Sequence, residues 1–147
     1  MPAHSESRIV PYSSAQLFDL VLNIERYAEF LPWCLGARIN GRSKNDLEAD
    51  VIIGYKIFRE RFSSRVHFIR PKQIEVEYLQ GPLRHLHNRW AFRDLKEQQC
   101  QIDFYVDFSL RNKLLENLIE QFFHRALVKM IHAFELRAAE VYGARLP

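Results

Sequence analysis

The C-terminal stretch Asn112–Gly143, NKLLENLIEQFFHRALVKMIHAFELRAAEVYG, decides the fold. Its apolar side chains recur three or four residues apart and would form one broad stripe on a helix. Asn112 is a suitable N-cap residue, and Gly143 stands where a helix commonly ends. Such a helix would be about 45 Å long, so a large surface must cover its stripe. The predicted stripe comprises Leu115, Leu118, Ile119, Phe122, Phe123, Ala126, Leu127, Met130, Ile131, Phe134, Ala138 and Val141.

The composition is that of an ordinary globular protein. The 147 residues are 48% hydrophobic and 27% charged, and we expect residues 1–147 to form a single domain. A net charge of +3 is too small for a committed nucleic-acid binder, although it permits loose association with anionic lipid or RNA. The N-terminal residues show no signal peptide, and Cys34 and Cys100 suggest no disulfide scaffold. We therefore expect a cytoplasmic protein.

Two short helices are predicted near the N-terminus, after an opening strand over Ser5–Val10. Ser13 and Gln16 have the spacing of a capping box, which predicts that a helix begins there. Asn23 is a candidate cap for a second helix over 24–29, which must end before Pro32.

From Trp33 onward, apolar side chains recur at every second residue in six successive segments, which is typical of antiparallel strands with one buried face. In the first of these strands the predicted inward residues are Leu35, Ala37 and Ile39. We predict an α+β helix-grip fold, in which a curved antiparallel sheet of about seven strands carries the long C-terminal helix across its concave face.

Four segments, in order, carry a recognisable signature: 27–34 (YAEFLPWC), 64–66 (SRV), 81–90 (GPLRHLHNRW) and 133–138 (AFELRA). They resemble the coenzyme Q-binding START-domain family, within the polyketide cyclase and lipid-transfer superfamily. A departure is Leu83, where the family often carries Phe. The resemblance implies a START-like fold and covers two reported roles, quinone binding for respiration and association with ribosomes. It does not choose between them.

A cavity between the sheet and the helix is the natural ligand site of this fold. The alternative is that the inward rings simply pack a core. A pocket is favoured by the resemblance and by the aromatic content of 13%. The predicted ligand-binding residues are Phe30, Leu31, Pro32, Trp33, Tyr55, Phe58, Glu60, Phe62, Ser64, Tyr78, Leu83, Leu86, Asn88, Trp90, Phe92, Phe104, Phe122, Phe123, Leu127 and Met130.

Three polar residues of that set, Glu60, Ser64 and Asn88, fall on the inward side of their strands. Burying each without a partner would cost on the order of a few kcal/mol. Ser64 and Asn88 can donate hydrogen bonds to the oxygens of a quinone head group, whereas Glu60 could do so only when protonated. The alternatives are mutual hydrogen bonding, or a β-bulge that turns these side chains outward.

Catalytic and metal-binding signatures are weak. No Gly-rich phosphate loop, nucleophile elbow or zinc motif is present. His85 and His87 share a strand face, but no third ligand has convincing spacing, and exposed histidines are the simpler interpretation. The outer sheet face is rich in Arg, which suggests an RNA or anionic-membrane patch unless Glu75 and Glu77 neutralise it.

The leading hypothesis is therefore a non-enzymatic carrier of coenzyme Q (ubiquinone) that supports respiratory electron transport, with transient contacts to the membrane surface or respiratory complexes. The mouth of its cavity would lie near 30–34 and 81–83, and no specific DNA partner is expected. The second hypothesis is a toxin-like, ribosome-associated regulator of translation. The third is a polyketide cyclase-like enzyme acting in the same cavity.

Overall fold

The structure, a computed structural model, describes residues 3–55 and 58–144, without the side chains of Tyr55, Phe58 and Phe122. Seven antiparallel strands form one sheet in the order β1-β7-β6-β5-β4-β3-β2, and the predicted α+β helix-grip fold is confirmed. The elements are β1 (Ala3–Val10), α1 (Ser14–Leu22), a 3₁₀ helix (Ile24–Glu29), β2 (Cys34–Arg42), β3 (Asp46–Tyr55), β4 (Phe58–Ile69), β5 (Gln73–Gln80), β6 (His85–Lys96), β7 (Gln99–Ser109) and α2 (Lys113–Tyr142).

The N-terminal helices begin where the sequence predicts. Both bonds of the predicted capping box are present: Ser13 Oγ accepts from the Gln16 amide, and the Gln16 side chain accepts from the Ser13 amide. The second helix has the predicted span and Asn23 as its N-cap residue, as predicted, but the Asn23 side chain makes no capping hydrogen bond. The backbone N–H of Asn23 instead donates to the carbonyl of Asp19 and closes α1.

A β-bulge corrects the predicted orientation of one side chain in β2. The register with β3 shifts between Cys34 and Gly36, so the intervening Leu35 leaves the inward face. Leu35 is 49% exposed and its side chain lies over Gly54. Ala37 and Ile39 remain partly buried against the core, as predicted.

Helix α2 has the predicted ends, and its C-terminal half is firmly anchored. The Asn112 side chain accepts from the amides of Leu114 and Leu115, and Gly143 has a φ of 92°, a conformation that glycine adopts readily. Arg8 binds Glu135 at 2.6 Å, and the Tyr142 hydroxyl donates to a carbonyl of α1 at 2.8 Å. The residues of α2 buried in the core are Leu127, Ile131, Phe134 and Ala138.

The N-terminal half of α2 departs from the prediction. Leu115, Leu118 and Ile119, predicted to lie in the buried stripe, are 45%, 52% and 36% exposed. The predicted stripe is too broad, because 100° per residue places Leu118 on the opposite side of α2 from Leu127. It is also too long, because the packed core that covers α2 begins only near Leu127. None of the helices in residues 3–55 and 58–144 combines the length and the apolar character of a membrane span.

Candidate functional site

One end of the sheet gathers the two loops that the sequence predicts at the cavity opening. Antiparallel pairing brings the start of β2, the end of β3, the β5–β6 turn and the end of β7 to this end. The Gly54 amide donates to the Trp33 carbonyl at 2.9 Å, and the Arg84 amide donates to the Ser109 carbonyl at 3.0 Å. We call this end the mouth; α2 begins directly beside it.

Part of the predicted ligand-binding set lies in the packed core. The Trp90 ring is 4.5 Å from Phe104 and 5.3 Å from Phe134 of α2, measured between centroids. These contacts join the sheet to the helix and leave the rings nearly inaccessible. The predicted residues that the structure buries in the core are Leu31, Trp90, Phe92, Phe104 and Leu127.

Another part of the predicted set is only half-buried, nearer the mouth. Register places these side chains on the concave face: Ser64 lies opposite the buried Ala49, and Asn88 lies between Val76 and Val106. Glu120, which follows the buried face of α2 at helical spacing, is exposed, so α2 does not seal this part of the sheet. The half-buried residues, which we call the cleft residues, are Glu60, Phe62, Ser64, Tyr78, Leu86, Asn88, Phe123 and Met130.

The remaining predicted residues lie around these two groups. Phe30 is half-buried and packs 5.2 Å from Phe134, beneath the Arg137 guanidinium. Trp33 and Leu83 are half-buried at the mouth, where Pro32 is exposed. The side chains of Tyr55, Phe58 and Phe122 lie outside the part of the chain that the structure describes.

A β-bulge does occur beside Ser64, but it does not turn Ser64 outward. Ser63 pairs with Gln80 whereas Ser64 pairs with Tyr78, so the extra residue is Leu79 on the opposite strand. Ser64 thus keeps the inward orientation that the alternation predicts.

Two polar atoms of the concave face are the most distinctive feature of the site. Among the residues that the structure describes, Nε2 of His4 and Oδ1 of Asn88 are buried and have no hydrogen-bond partner. Both residues pair with Val106 from opposite sides, so their Cα atoms lie about 10 Å apart along one cross-sheet row. We call these two atoms the buried polar pair. Phe123 of α2 lies beside it, with its ring 4.8 Å from that of His4.

The ligand-binding residues predicted from the sequence include Asn88 but not His4. The predicted strand begins at Ser5, whereas β1 begins at Ala3. Extending the alternation by one step from Glu6 places His4 inward, so the signal was present in the sequence. For Asn88, the buried atom without a partner is the carbonyl oxygen, which accepts hydrogen bonds, whereas the quinone prediction uses the amide nitrogen.

The β5–β6 turn at the mouth is held by a hydrogen bond and by a close approach of the backbone. The Leu83 amide donates to the Tyr78 hydroxyl at 2.9 Å. A Cβ atom at Gly81 would lie 2.8 Å from that hydroxyl and 3.0 Å from the Arg61 carbonyl oxygen. The turn therefore needs glycine at this position.

We expect Gly81→Ala to lower the free energy of unfolding by roughly 1–2 kcal/mol, because the added methyl displaces Tyr78 and weakens its bond to Leu83. Urea denaturation measures the effect. Gly41→Ala is the matched control, since nothing lies within 4 Å of a Cβ built at Gly41. Equal effects of the two substitutions would contradict the close approach at Gly81.

Both cysteines are free and buried. Burial raises the pKa of the Cys34 thiol, and burial together with the charge of Asp94 raises the pKa of Cys100 to about 12. The thiolate is the reactive form of cysteine, so the environment of neither residue suits a nucleophile.

A thiol-specific disulfide reagent should therefore leave the native protein unmodified at pH 8 over the time in which the urea-unfolded protein reacts fully at its two cysteines. Absorbance of the released thiolate follows the reaction. Rapid modification of Cys34 in the native protein would show instead that its thiol is activated.

The outer sheet face pairs many of its basic side chains with carboxylates. Arg65 lies 3.2 Å from Glu48, and His87 lies 3.6 Å from Glu75. The hydrogen bond from Ser63 at 2.6 Å, with Arg61 at 3.6 Å, lowers the pKa of the Asp50 carboxyl. Cross-strand pairing of this kind is the neutralising alternative to a basic patch, although its predicted participant Glu77 has no part in these pairs.

A separate polar pocket of about 560 Å³ opens beside Asp50, Arg61 and Ser63; of the cleft residues, it reaches Ser64. His85 binds Asp107, on the same outer face as His87. Within residues 3–55 and 58–144, no group of three or more His, Cys, Asp or Glu side chains is arranged to hold a metal ion.

Fold and sequence together define the class of this protein. The family model described as polyketide cyclase / dehydrase and lipid transport matches residues 10–135, and the chain belongs to this family. A START superfamily protein from Mycobacterium smegmatis superposes with a TM-score of 0.84, covering 95% of this chain and 98% of that one. At 16% identity this similarity concerns the fold alone.

Two curated relatives are similar to this chain over most of its length. The chain is 34% identical over 145 residues to the ribosome association toxin RatA of Escherichia coli (strain K12), covering 99% of this chain and 92% of that protein. It is 29% identical over 144 residues to the mitochondrial coenzyme Q-binding protein COQ10 homolog B of Xenopus laevis, covering 95% of this chain and 59% of that protein.

Proposed function

We propose that this protein binds a prenylated quinone, of the coenzyme Q (ubiquinone) type, along the cleft residues and acts as its carrier. The buried polar pair is the observation that supports the proposal most. Each unpartnered buried polar atom costs about 1–3 kcal/mol, and a ligand head group that reaches the pair removes this cost. The similarity to a protein named coenzyme Q-binding gives independent support.

The head group, and not the tail, must provide the selectivity. A prenyl tail that leaves a bilayer for an apolar cleft exchanges one apolar environment for another. Oδ1 of Asn88 accepts hydrogen bonds, whereas a quinone head offers acceptors alone. The reduced quinol carries hydroxyl groups that donate, so we expect the cleft to prefer the quinol form.

Access would be from the mouth, by displacement of the N-terminal half of α2. This half carries Phe123, which lies beside the buried polar pair, while the anchors to Arg8 and α1 hold the C-terminal half. A carrier of this kind supports respiratory electron transport from the cytoplasm by shielding the quinone between membrane-bound enzymes. It performs no covalent step.

Titration of the detergent-solubilised protein with a short-chain ubiquinol and with its quinone tests the proposal. Tryptophan fluorescence gives the readout, because Trp33 lies at the mouth. We expect saturable binding with tighter affinity for the quinol. Absence of saturable binding of either form would refute the carrier function, whereas equal affinity would refute the role assigned to Oδ1 of Asn88.

A second candidate function is ribosome association. The identity of 34% to a ribosome association toxin over 99% of this chain favours it. Co-sedimentation of the purified protein with ribosomal subunits, at low and moderate salt, tests this candidate. Binding that survives moderate salt supports it, since weak electrostatic association is lost as salt rises.

A further inference from the structure

The N-terminal half of α2 exposes apolar side chains that the proposed function does not use. Leu114 is 82% exposed, and the three apolar residues that follow it on the helix are also exposed. Isolated exposed leucines are common on protein surfaces, whereas a contiguous group indicates a contact surface. The group, which we call the apolar ridge, comprises Leu114, Leu115, Leu118 and Ile119.

The apolar ridge points away from the core. At 100° per residue, Leu114 and Leu118 fall nearly opposite Leu127 and Phe134, which face the sheet. Leu114 and Leu118 therefore form a second apolar face of α2, and Leu115 and Ile119 extend it towards the side that faces the sheet.

The charges around the apolar ridge are basic. Arg125 and Lys129 continue the ridge direction along the helix and are exposed, and Arg111 is exposed just before its first turn. The carboxylate of Glu116 is buried, where it accepts from the Leu110 amide at 3.2 Å and from Lys113 at 3.1 Å. Exposed Glu120 falls on the side that faces the sheet.

We propose that the apolar ridge docks this protein on an anionic lipid bilayer. Leucine and isoleucine side chains flanked by Arg and Lys are the composition of helices that lie in the membrane interface, where apolar residues enter the acyl boundary and cations bind acidic head groups. RNA or an acidic protein would match the cations but not the exposed leucines. Docking would place the mouth, next to the first turn of α2, against the bilayer; this rests on the proposed lipid-carrier function.

Flotation of the full chain with vesicles, without added quinone, tests the proposal. We expect binding to mixed phosphatidylcholine–phosphatidylglycerol vesicles, weaker binding to phosphatidylcholine alone, and partial loss at high salt. Leu118→Glu should reduce vesicle binding by roughly tenfold. Ile69→Glu is the matched control, with the same charge change at the end of β4 remote from the mouth, at a residue that is 50% exposed, against 52% for Leu118.

Three results would overturn docking. In the first, the wild type does not bind vesicles, and in the second, both variants lose vesicle binding equally. In the third, sedimentation shows a dimer that Leu118→Glu dissociates, and the wild type does not bind vesicles. The last would assign the apolar ridge to a second copy of the chain. Quinol titration of Leu118→Glu in detergent separates the two proposals. If Leu118→Glu loses vesicle binding but keeps its affinity for the quinol, docking is supported. If the wild-type protein does not bind the quinol, the carrier function alone is refuted.

Discussion

Replacing Trp90 by alanine should lower the free energy of unfolding by about 3–5 kcal/mol. The indole is 6% exposed and contacts rings from β6, β7 and α2, so its removal leaves a cavity where the sheet meets the helix. The loss is a large part of the stability of a domain this size, which is typically about 5–15 kcal/mol. Urea denaturation followed by circular dichroism measures the change.

Phe62→Ala is the companion variant, because it removes a ring of the same concave face from the half-buried group. Phe62 contacts Tyr78, with the ring centroids 6.2 Å apart. A partly exposed ring loses less on truncation, and we expect about 1–2 kcal/mol. Equal costs at Trp90 and Phe62 would contradict the division of the concave face into a packed core and a half-buried group of cleft residues.

Asn88→Leu should have opposite effects on stability and on ligand binding. Leucine has the same branching and number of side-chain heavy atoms without an unpartnered oxygen, so the ligand-free protein should become more stable by about 1 kcal/mol. The same change removes a hydrogen bond to the quinol, which lowers the affinity about fivefold. Thermal denaturation and quinol titration give the two values.

Asn117→Leu provides the control, since Asn117 is exposed on α2 and outside the cleft. It should leave quinol affinity unchanged. A destabilised Asn88→Leu variant with unaltered quinol affinity would mean that Asn88 is a structural residue and that its carbonyl oxygen does not contact the ligand.

Much of the fold could be predicted because local patterns and tertiary packing agree. The alternation in β3 to β7 correctly separates buried Val66, Trp90 and Val106 from their outward neighbours. Capping at Ser13 and Asn112 depends on side chains that bond within three residues, so short-range spacing is sufficient to find it.

The failures have a common physical origin in features that local spacing does not encode. Leu35 leaves the inward face because one extra residue in the β2 ladder reverses the alternation. The predicted stripe of α2 includes both Leu118 and Leu127, although 100° per residue places them on opposite sides of the helix, and the pattern carries no information on how far the sheet extends over α2. For the candidate site, the alternation along β6 is sufficient to place Asn88 on the inward face. Which inward residues lie in the cleft and which in the core depends instead on packing between distant strands.

We expect the cleft residues to bind a prenylated quinone through its head group. Mass spectrometry of an organic extract of the protein, purified without detergent from its native host, tests it most directly when wild type and Asn88→Leu are compared. We expect the wild type to retain a prenylated quinone or quinol and the variant to be depleted of it. Extracts of both proteins that contain no quinone, while the wild type co-sediments with ribosomes, would contradict this expectation.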